Sequence, residues 1–182
     1  MKIKTTPLDG LRILEHDRWR DSRGYFIETY NQKQLEDADI HTTFVQDNLS
    51  LSHRGVLRGL HAQAGEQAQG KLVSVLQGRA WDVVVDIRKG SPTYGHYFGL
   101  ELSADHDLSL WIPPGFLHGF LSLEDQTLFS YKVTGFYDPS GEIGVRWDDP
   151  ELALPWPDPG AELIISERDQ SLPYLQQLES PF

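Results

Sequence analysis

Short segments in which apolar and polar residues alternate are the feature of this sequence that most constrains its fold. In Ala80–Ile87 the odd-numbered residues are apolar and share a face opposite Asp82 and Asp86. In Leu128–Thr134 the odd-numbered residues are again apolar or aromatic, Tyr131 among them. A period of two indicates strands that bury one face. Many such segments, broken by Gly, Pro and Asp turns, predict an all-β sandwich or barrel-like jelly roll.

Helical patterns are scarce. The segment Asn31–Ala38 predicts a short helix with Asn31 as its N-cap and Gln34 three residues on. A second short helix is predicted over Ser171–Leu178. The length of 182 residues suits one domain, and neither a low-complexity linker nor a repeat divides the chain. We therefore expect one all-β domain over residues 1–182, with a few short helices.

The composition narrows the class of protein. Hydrophobic residues at 39% and charged residues at 24% are typical of a soluble globule. The absence of cysteine excludes disulfides, thiolate catalysis and thiolate metal sites. No apolar run approaches the roughly 20 residues of a membrane helix, and Met1–Pro7 lacks the apolar core of a secretory signal. We therefore expect a cytoplasmic protein that does not interact with membranes.

The formal net charge of −11 argues against nucleic acid as a partner, because such binding needs a basic surface. A small anionic ligand remains compatible with this charge if a few cations gather at one site. Arg23, Arg58, Lys71 and Arg168 are the candidates. The alternative for each of them is an ordinary solvated surface charge.

The segment Arg58–Gln63 carries the first chemical signal, because Lys71 follows its histidine, His61, by ten residues. A neutral imidazole accepts a proton, and a buried ammonium stabilises the oxyanion left on a carbonyl. The pair predicts proton abstraction next to a ketone, although a packed, hydrogen-bonded His61 is the alternative. Strict alternation sends Arg58 and His61 to opposite faces. A bulge at Gly59 would re-aim one of them, or they serve different parts of one ligand.

Tyr131 and Asp169 are further candidates. Tyr131 shares the apolar phase of its segment, so its hydroxyl points towards the interior. There it is either a core tyrosine with a satisfied hydroxyl or, beside a cavity, an acid that protonates a carbanion or enolate. Asp169 resembles a surface charge before a short helix. If it reached His61, it would orient the ring and raise its basicity.

His118 follows a Pro-Gly turn within Trp111–Phe120, and this arrangement resembles the second motif of the cupin superfamily, where the histidine is a metal ligand. His61, Gln63 and Glu66 lie where the first cupin motif carries His-x-His and a Glu. Gln63, however, is a poor ligand for a transition metal. We therefore expect no metal, and a metal-dependent cupin oxygenase is the alternative.

A set of short segments, specific in order and spacing, runs along nearly the whole chain: Asp21–Glu28, Phe44–Asn48, Val56–His61, Ala68–Val73, Asp86–Arg88, Ser91–Gly95, Trp111–Pro113, Phe116–Phe120, Tyr131–Lys132 and Trp147–Pro150. Together they resemble the dTDP-4-dehydrorhamnose 3,5-epimerase family, which catalyses the third step of dTDP-L-rhamnose synthesis. The resemblance implies a cupin-type jelly roll without a metal. It also implies a homodimer in which N-terminal segments reach the neighbour's site.

The same resemblance assigns expected roles to single residues. His61 matches the general base, Asp169 its dyad partner, Tyr131 the acid on the opposite face and Lys71 the group that steadies the enolate. The residues expected to bind substrate are Arg23, Phe26, Glu28, Gln46, Asn48, Arg58, His118, Tyr137, Glu142 and Arg168, with Tyr137 stacking on thymine. Two positions depart from the family: Ala62, which is usually aromatic, and Arg168, which is often lysine and has different geometry.

The implied substrate is a dTDP-4-keto-6-deoxy sugar. Its 4-keto group acidifies the protons on carbons 3 and 5, and inversion at both carbons gives dTDP-4-dehydro-L-rhamnose. This chemistry needs no cofactor, and the sequence carries no Gly-rich dinucleotide loop. Two further alternatives remain open, namely an epimerase acting on a single carbon of a related sugar and a nucleotide-sugar binding module without catalysis.

Overall fold

Fourteen short strands and a few helical turns make up the fold, in a computed structural model that describes all 182 residues. The strands are β1 (Lys2–Thr5), β2 (Arg12–Glu15), β3 (Arg18–Asp21), β4 (Gly24–Ile27), β5 (Gln46–Ser52), β6 (Val56–Gln63), β7 (Lys71–Gln77), β8 (Arg79–Asp86), β9 (Tyr97–Ser103), β10 (Leu108–Ile112), β11 (Phe116–Ser122), β12 (Thr127–Val133), β13 (Glu142–Gly144) and β14 (Ile164–Ile165). The helices are α1 (Gln32–Glu36) and α2 (Glu167–Gln170), with 3₁₀ turns at Gly65–Gln67, Pro139–Gly141 and Leu175–Gln177.

Two large antiparallel sheets form the body of the molecule. The first has the order β1-β2-β10-β7-β12-β5, and the second has the order β13-β6-β11-β8-β9 with β14 pairing in parallel on β6. From β5 to β12, each strand lies in the sheet opposite to that of the strand before it, except that β8 and β9 are neighbours in the second sheet. This alternation is the topology of a jelly roll, as the sequence predicts. A separate hairpin of β3 and β4 stands outside both sheets.

The two predicted phases of β8 are confirmed, but burial does not alternate with them, because both faces of the strand are covered and Asp82 and Asp86 are buried. On β8, Val83 and Val85 pack in a cluster on the outer face of the second sheet, which the C-terminal segment covers. Val84 points the other way, into the core between the sheets. Phe120 of β11 and Phe129 of β12 meet there as parallel rings with centroids 4.1 Å apart. Because these two strands belong to different sheets, the stack marks where the two inner faces meet.

One of the two predicted helices forms and the other does not. Helix α1 begins after Asn31, whose side chain accepts a hydrogen bond from the backbone N–H of Gln34 at 3.3 Å. The helix predicted over Ser171–Leu178 is wrong, because α2 ends at Gln170 and only a 3₁₀ turn follows. Pro173 explains the break, since proline cannot donate a helical hydrogen bond and restricts the residue before it. No helix has both the length and the apolar character needed to cross a membrane.

Candidate active site

A pocket of about 760 Å³ opens between the two sheets. Strands β5, β7 and β12 supply its wall on the first sheet, and β6, β11 and β13 supply the wall on the second. Most of the residues selected from the sequence line it: Gln46, Asn48, Arg58, His61, Lys71, His118, Tyr131, Tyr137, Glu142, Arg168 and Asp169. The fold therefore brings together candidates from six strands, from the loop that follows β12 and from helix α2 near the C-terminus.

His61 and Asp169 form a hydrogen-bonded pair in this pocket. The Nε2 atom of His61 lies 2.9 Å from Oδ1 of Asp169, and the backbone N–H of Gly59 donates to the other carboxylate oxygen at 3.1 Å. Burial alone would raise the pKa of Asp169, but these hydrogen bonds and the charge of His61 hold the pKa below its usual value. Asp169 is therefore a buried carboxylate that orients the ring, not a surface charge, and Nδ1 of His61 remains free of it.

A bulge at Gly59 places Arg58 and His61 in the same pocket. The register of β6 against β11 shifts here, because Gly59 and Leu60 together stand opposite Gly119. Gly59 has a φ of +112°, and a Cβ atom on it would lie 2.7 Å from the Cα atom of Gly119. Only glycine fits such a position. The bulge expected at Gly59 is therefore present, and it explains why Arg58 and His61 do not follow strict alternation.

Lys71 lies at the start of β7 with its ammonium inside the pocket. Its Nζ donates to the backbone carbonyl of His61 at 3.4 Å, which fixes the cation beside the histidine. Burial lowers the pKa of Lys71 to about 8, and the negative charges of Glu142 and Asp82 oppose that effect. A partly desolvated ammonium of this kind is suited to stabilise an oxyanion that develops nearby.

Tyr131 occupies the wall opposite His61, since β12 belongs to the first sheet and β6 to the second. Its neighbour across the strand pair is Asn48 of β5. Burial raises the pKa of Tyr131, and the negative charge of Glu142 raises it further. The positive charge of Arg58 opposes both effects but does not cancel them. The phenol therefore keeps its proton at neutral pH and is able to donate it into the pocket.

A second histidine–carboxylate pair was not identified from the sequence. His118 pairs with His61 across β6 and β11, and its Nε2 lies 2.7 Å from Oδ2 of Asp82. Asp82 is fully buried, and its other oxygen has no hydrogen-bond partner. The sequence held a usable signal, because Asp82 shares the phase of Ala80 and Val84, which face the core. Its carboxylate holds His118 in place and adds negative charge near Lys71.

The residues that resemble a cupin metal site are engaged differently. The Nε2 of Gln63 donates to the backbone carbonyl of Asp138 at 2.6 Å. Glu66 lies in the first 3₁₀ turn and does not line the pocket. No group of three or more His, Asp or Glu side chains is placed to hold a metal ion.

Comparison with known proteins identifies the family. The model of a family described as dTDP-4-dehydrorhamnose 3,5-epimerase matches residues 5–177. The chain belongs to this family. The enzyme of that name from Methanothermobacter thermautotrophicus is 48% identical over 170 residues, which is 93% of this chain and 91% of that one. The enzyme from Escherichia coli is 44% identical over 179 residues, or 98% and 96% of the two chains.

Solved structures of epimerases superpose closely on the chain. The epimerase from Legionella pneumophila, in complex with dTDP-4-keto-L-rhamnose, has a TM-score of 0.94 and 44% identity, covering 98% of this chain and 94% of that one. The epimerase from Elizabethkingia anophelis has a TM-score of 0.93 and 46% identity, covering 99% of both chains. The fold is the cupin-type jelly roll of these isomerases.

The epimerase pocket carries a charged cluster formed by Glu142, Arg168 and Tyr137. The guanidinium of Arg168 pairs with Oε1 of Glu142. Burial alone would raise the pKa of Glu142, but hydrogen bonds from Arg168 and Tyr137, together with the charges of His61 and Arg168, lower it. Arg168, at a position that the family resemblance often gives to lysine, thus places a cation against Glu142. Ala62, the other departure, is buried and contributes a small side chain to the wall.

Three predicted substrate contacts of this epimerase do not line the pocket of their own chain: Arg23, Phe26 and Glu28. They lie on or just after the β3–β4 hairpin. Arg23 is 88% exposed and pairs with Asp21, while Glu28 accepts hydrogen bonds from the side chains of Asn31 and Gln34.

Proposed function

We propose that this protein inverts carbons 3 and 5 of dTDP-4-dehydro-6-deoxy-D-glucose and releases dTDP-4-dehydro-L-rhamnose. Its relatives of 44–48% identity carry the name of this activity over nearly their whole length. The observation that carries the proposal for this chain is the placement of His61 and Tyr131 on facing sheets, with the ammonium of Lys71 in the pocket beside the histidine. Inversion needs a base and an acid on opposite faces of one carbon.

Each inversion follows from three groups. His61, oriented by Asp169, removes a proton from the carbon next to the ketone, and the electron pair of that C–H bond forms the enolate. The ammonium of Lys71 stabilises the negative charge on the enolate oxygen. Tyr131 then returns a proton to the opposite face of the carbon. We assign the nucleotide and its diphosphate to Gln46, Asn48, Arg58 and Tyr137, and place His118 beside the reacting sugar.

The activity is tested by incubating the purified protein with dTDP-4-dehydro-6-deoxy-D-glucose and determining the configuration at carbons 3 and 5 by proton NMR coupling constants. We expect both centres to invert. Inversion at one carbon would support the second candidate, a single-carbon epimerase, since a Streptomyces niveus relative at 37% identity bears the name dTDP-4-dehydrorhamnose 3-epimerase. Metal analysis of the active protein tests the third candidate, a metal-dependent cupin oxygenase, which predicts about one bound transition metal per active site.

Lys71 provides a prediction about turnover. Lys71→Met should reduce kcat by about 100- to 1,000-fold, the usual loss for one oxyanion donor, with a much smaller change in KM. The ammonium is charged below its pKa of about 8 and neutral above it, so wild-type kcat/KM should also fall as the pH rises through that value. Steady-state kinetics against pH measures both effects. A mutant altered only in KM would instead make Lys71 a substrate-binding residue.

A homodimer is the proposed assembly. Trp19, Tyr25 and Phe26 on the β3–β4 hairpin are each more than half exposed, and Trp19 and Phe26 are ring neighbours at 5.9 Å. Exposed aromatic groups of this kind are typical of interaction surfaces. We propose that the hairpin reaches the partner's pocket, where Arg23 joins Arg58 on the diphosphate. A chain with a net charge of −11 benefits from gathering two guanidinium groups there.

The shared site predicts the behaviour of Arg23→Ala. Loss of this guanidinium should weaken dTDP binding by about 2 kcal/mol, the scale of a hydrogen bond to a charged group, as measured by titration calorimetry. Mixing Arg23→Ala with His61→Ala chains gives hybrid dimers in which one site carries both changes and the other carries neither. Activity should reappear in the hybrids. No recovery despite confirmed subunit exchange would mean that one chain builds each site.

We also propose a cytoplasmic location and a role in supplying rhamnose for surface carbohydrates such as lipopolysaccharide. Both follow from the family resemblance.

A further inference from the structure

Glu142 has a position that substrate binding alone does not explain. Its Oε1 lies 3.8 Å from Nδ1 of His61, on the side of the ring that Asp169 leaves free. Its side chain is only 10% exposed, whereas that of Arg168, its ion-pair partner, is 54% exposed. His61 therefore has a carboxylate near each ring nitrogen. Asp169 is buried and lies on Nε2, whereas Glu142 lies near Nδ1 and pairs with the exposed Arg168.

The charge of Glu142 acts on the other members of the site as well. It opposes the burial effect on the pKa of Lys71 and contributes to the raised pKa of Tyr131. Asp169 contributes to neither of these two pKa shifts. Glu142 is thus the carboxylate in the pocket that is coupled to the base, to the acid and to the oxyanion donor.

If the protein inverts two carbons in one pocket, which is the proposed function, the protons on its catalytic groups must be restored between the two steps. After the first inversion His61 has gained one proton and Tyr131 has lost one. A second inversion requires a neutral imidazole and a protonated phenol again. The Nε2–H bond is held by the buried Asp169, so the proton taken from the sugar must leave through Nδ1.

We propose that Glu142 resets the base between the two inversions by accepting the proton from Nδ1 of His61 and passing it to water, from which the phenolate of Tyr131 regains a proton. The N–H bond breaks with its electron pair left on Nδ1, and an O–H bond forms on the carboxylate. The separation of 3.8 Å is closed by a side-chain movement or a bridging water. Arg168 and Tyr137 favour the ionised carboxylate, so the proton stays on Glu142 only briefly.

Glu142→Gln tests this role, because the amide keeps the shape of the side chain but cannot take the proton. In single turnovers followed by NMR, the lost charge near Lys71 and Tyr131 should slow both inversions to a similar extent. The missing proton acceptor should slow the second by at least about tenfold more than the first, out of the roughly 100- to 10,000-fold that positioned proton transfer contributes, so that singly inverted sugar accumulates. Glu142→Asp should restore part of the second rate, and Glu15→Gln, which removes a remote exposed carboxylate paired with Lys4, should change neither rate.

Equal slowing of both inversions in Glu142→Gln would overturn the proposal, because it would make Glu142 a group that only orients the substrate or supports the fold. Unchanged rates would overturn it too. The wild-type arm separates this failure from failure of the proposed function. If wild-type protein inverted only one carbon, the assignment of two inversions would fall, and the need for a reset would fall with it.

Discussion

His61→Ala should lower proton exchange at carbons 3 and 5 together by about 100- to 10,000-fold, the range that a positioned general base contributes. One imidazole is assigned to both carbons, and no other histidine in the pocket has its ring held by Asp169. The measurement is deuterium incorporation from D2O into the substrate, read separately at each carbon by NMR. Exchange within about tenfold of wild type would remove His61 from the mechanism.

His61→Asn is the matched variant for this experiment. Alanine leaves one oxygen of the buried Asp169 without its partner, which costs about 1–3 kcal/mol of stability. Asparagine retains an N–H donor for that carboxylate but cannot act as a base. We therefore expect Asn to lose exchange as severely as Ala while unfolding at a higher temperature. Restored exchange in the Asn variant would mean that the loss in Ala came from a disturbed fold.

Tyr131→Phe should separate proton exchange from inversion. His61 can still remove a proton and return one to its own face, so deuterium should enter without a change of configuration. Inversion should fall by about 100- to 10,000-fold, because the donor on the facing sheet is gone. The substrate recovered from D2O is analysed for both deuterium content and configuration.

The phenylalanine ring keeps the packing of Tyr131 against the core between the sheets, so thermal unfolding should change little. Tyr137→Phe is the companion variant, because it also removes a phenol from the pocket but not the proposed acid. It should affect substrate binding more than inversion. Inversion by Tyr131→Phe at the wild-type rate would mean that another group, or water, supplies the proton.

Alternation and turn residues predict much of this fold because they act locally. The phases of β8 and β12 follow directly from apolar residues at every second position, and the cap at Asn31 follows from its side-chain chemistry. Local patterns do not predict the structure where a helix or strand departs from its regular repeat. Pro173 stops the second predicted helix, and the register shift at Gly59 depends on the close approach of Gly119 from another strand.

Pairings over long sequence separations account for the rest of the site. A sequence separation of 108 positions hides the contact between His61 and Asp169 from any local pattern, and only the family resemblance assigns it. Asp82 was missed because a carboxylate on a strand is usually solvated, whereas here it lies buried against His118. Glu142 was expected at the site, but its position beside Nδ1 of His61 emerges only when β13 pairs with β6.

The proposed mechanism depends on one base and one acid acting at two carbons of the same sugar. The most direct measurement is a time course of wild-type protein with dTDP-4-dehydro-6-deoxy-D-glucose in D2O, with deuterium counted at each carbon of the product. The proposed mechanism predicts one deuterium at carbon 3 and one at carbon 5, each on an inverted centre. A product with deuterium at only one of these carbons, or inverted without deuterium, would contradict it.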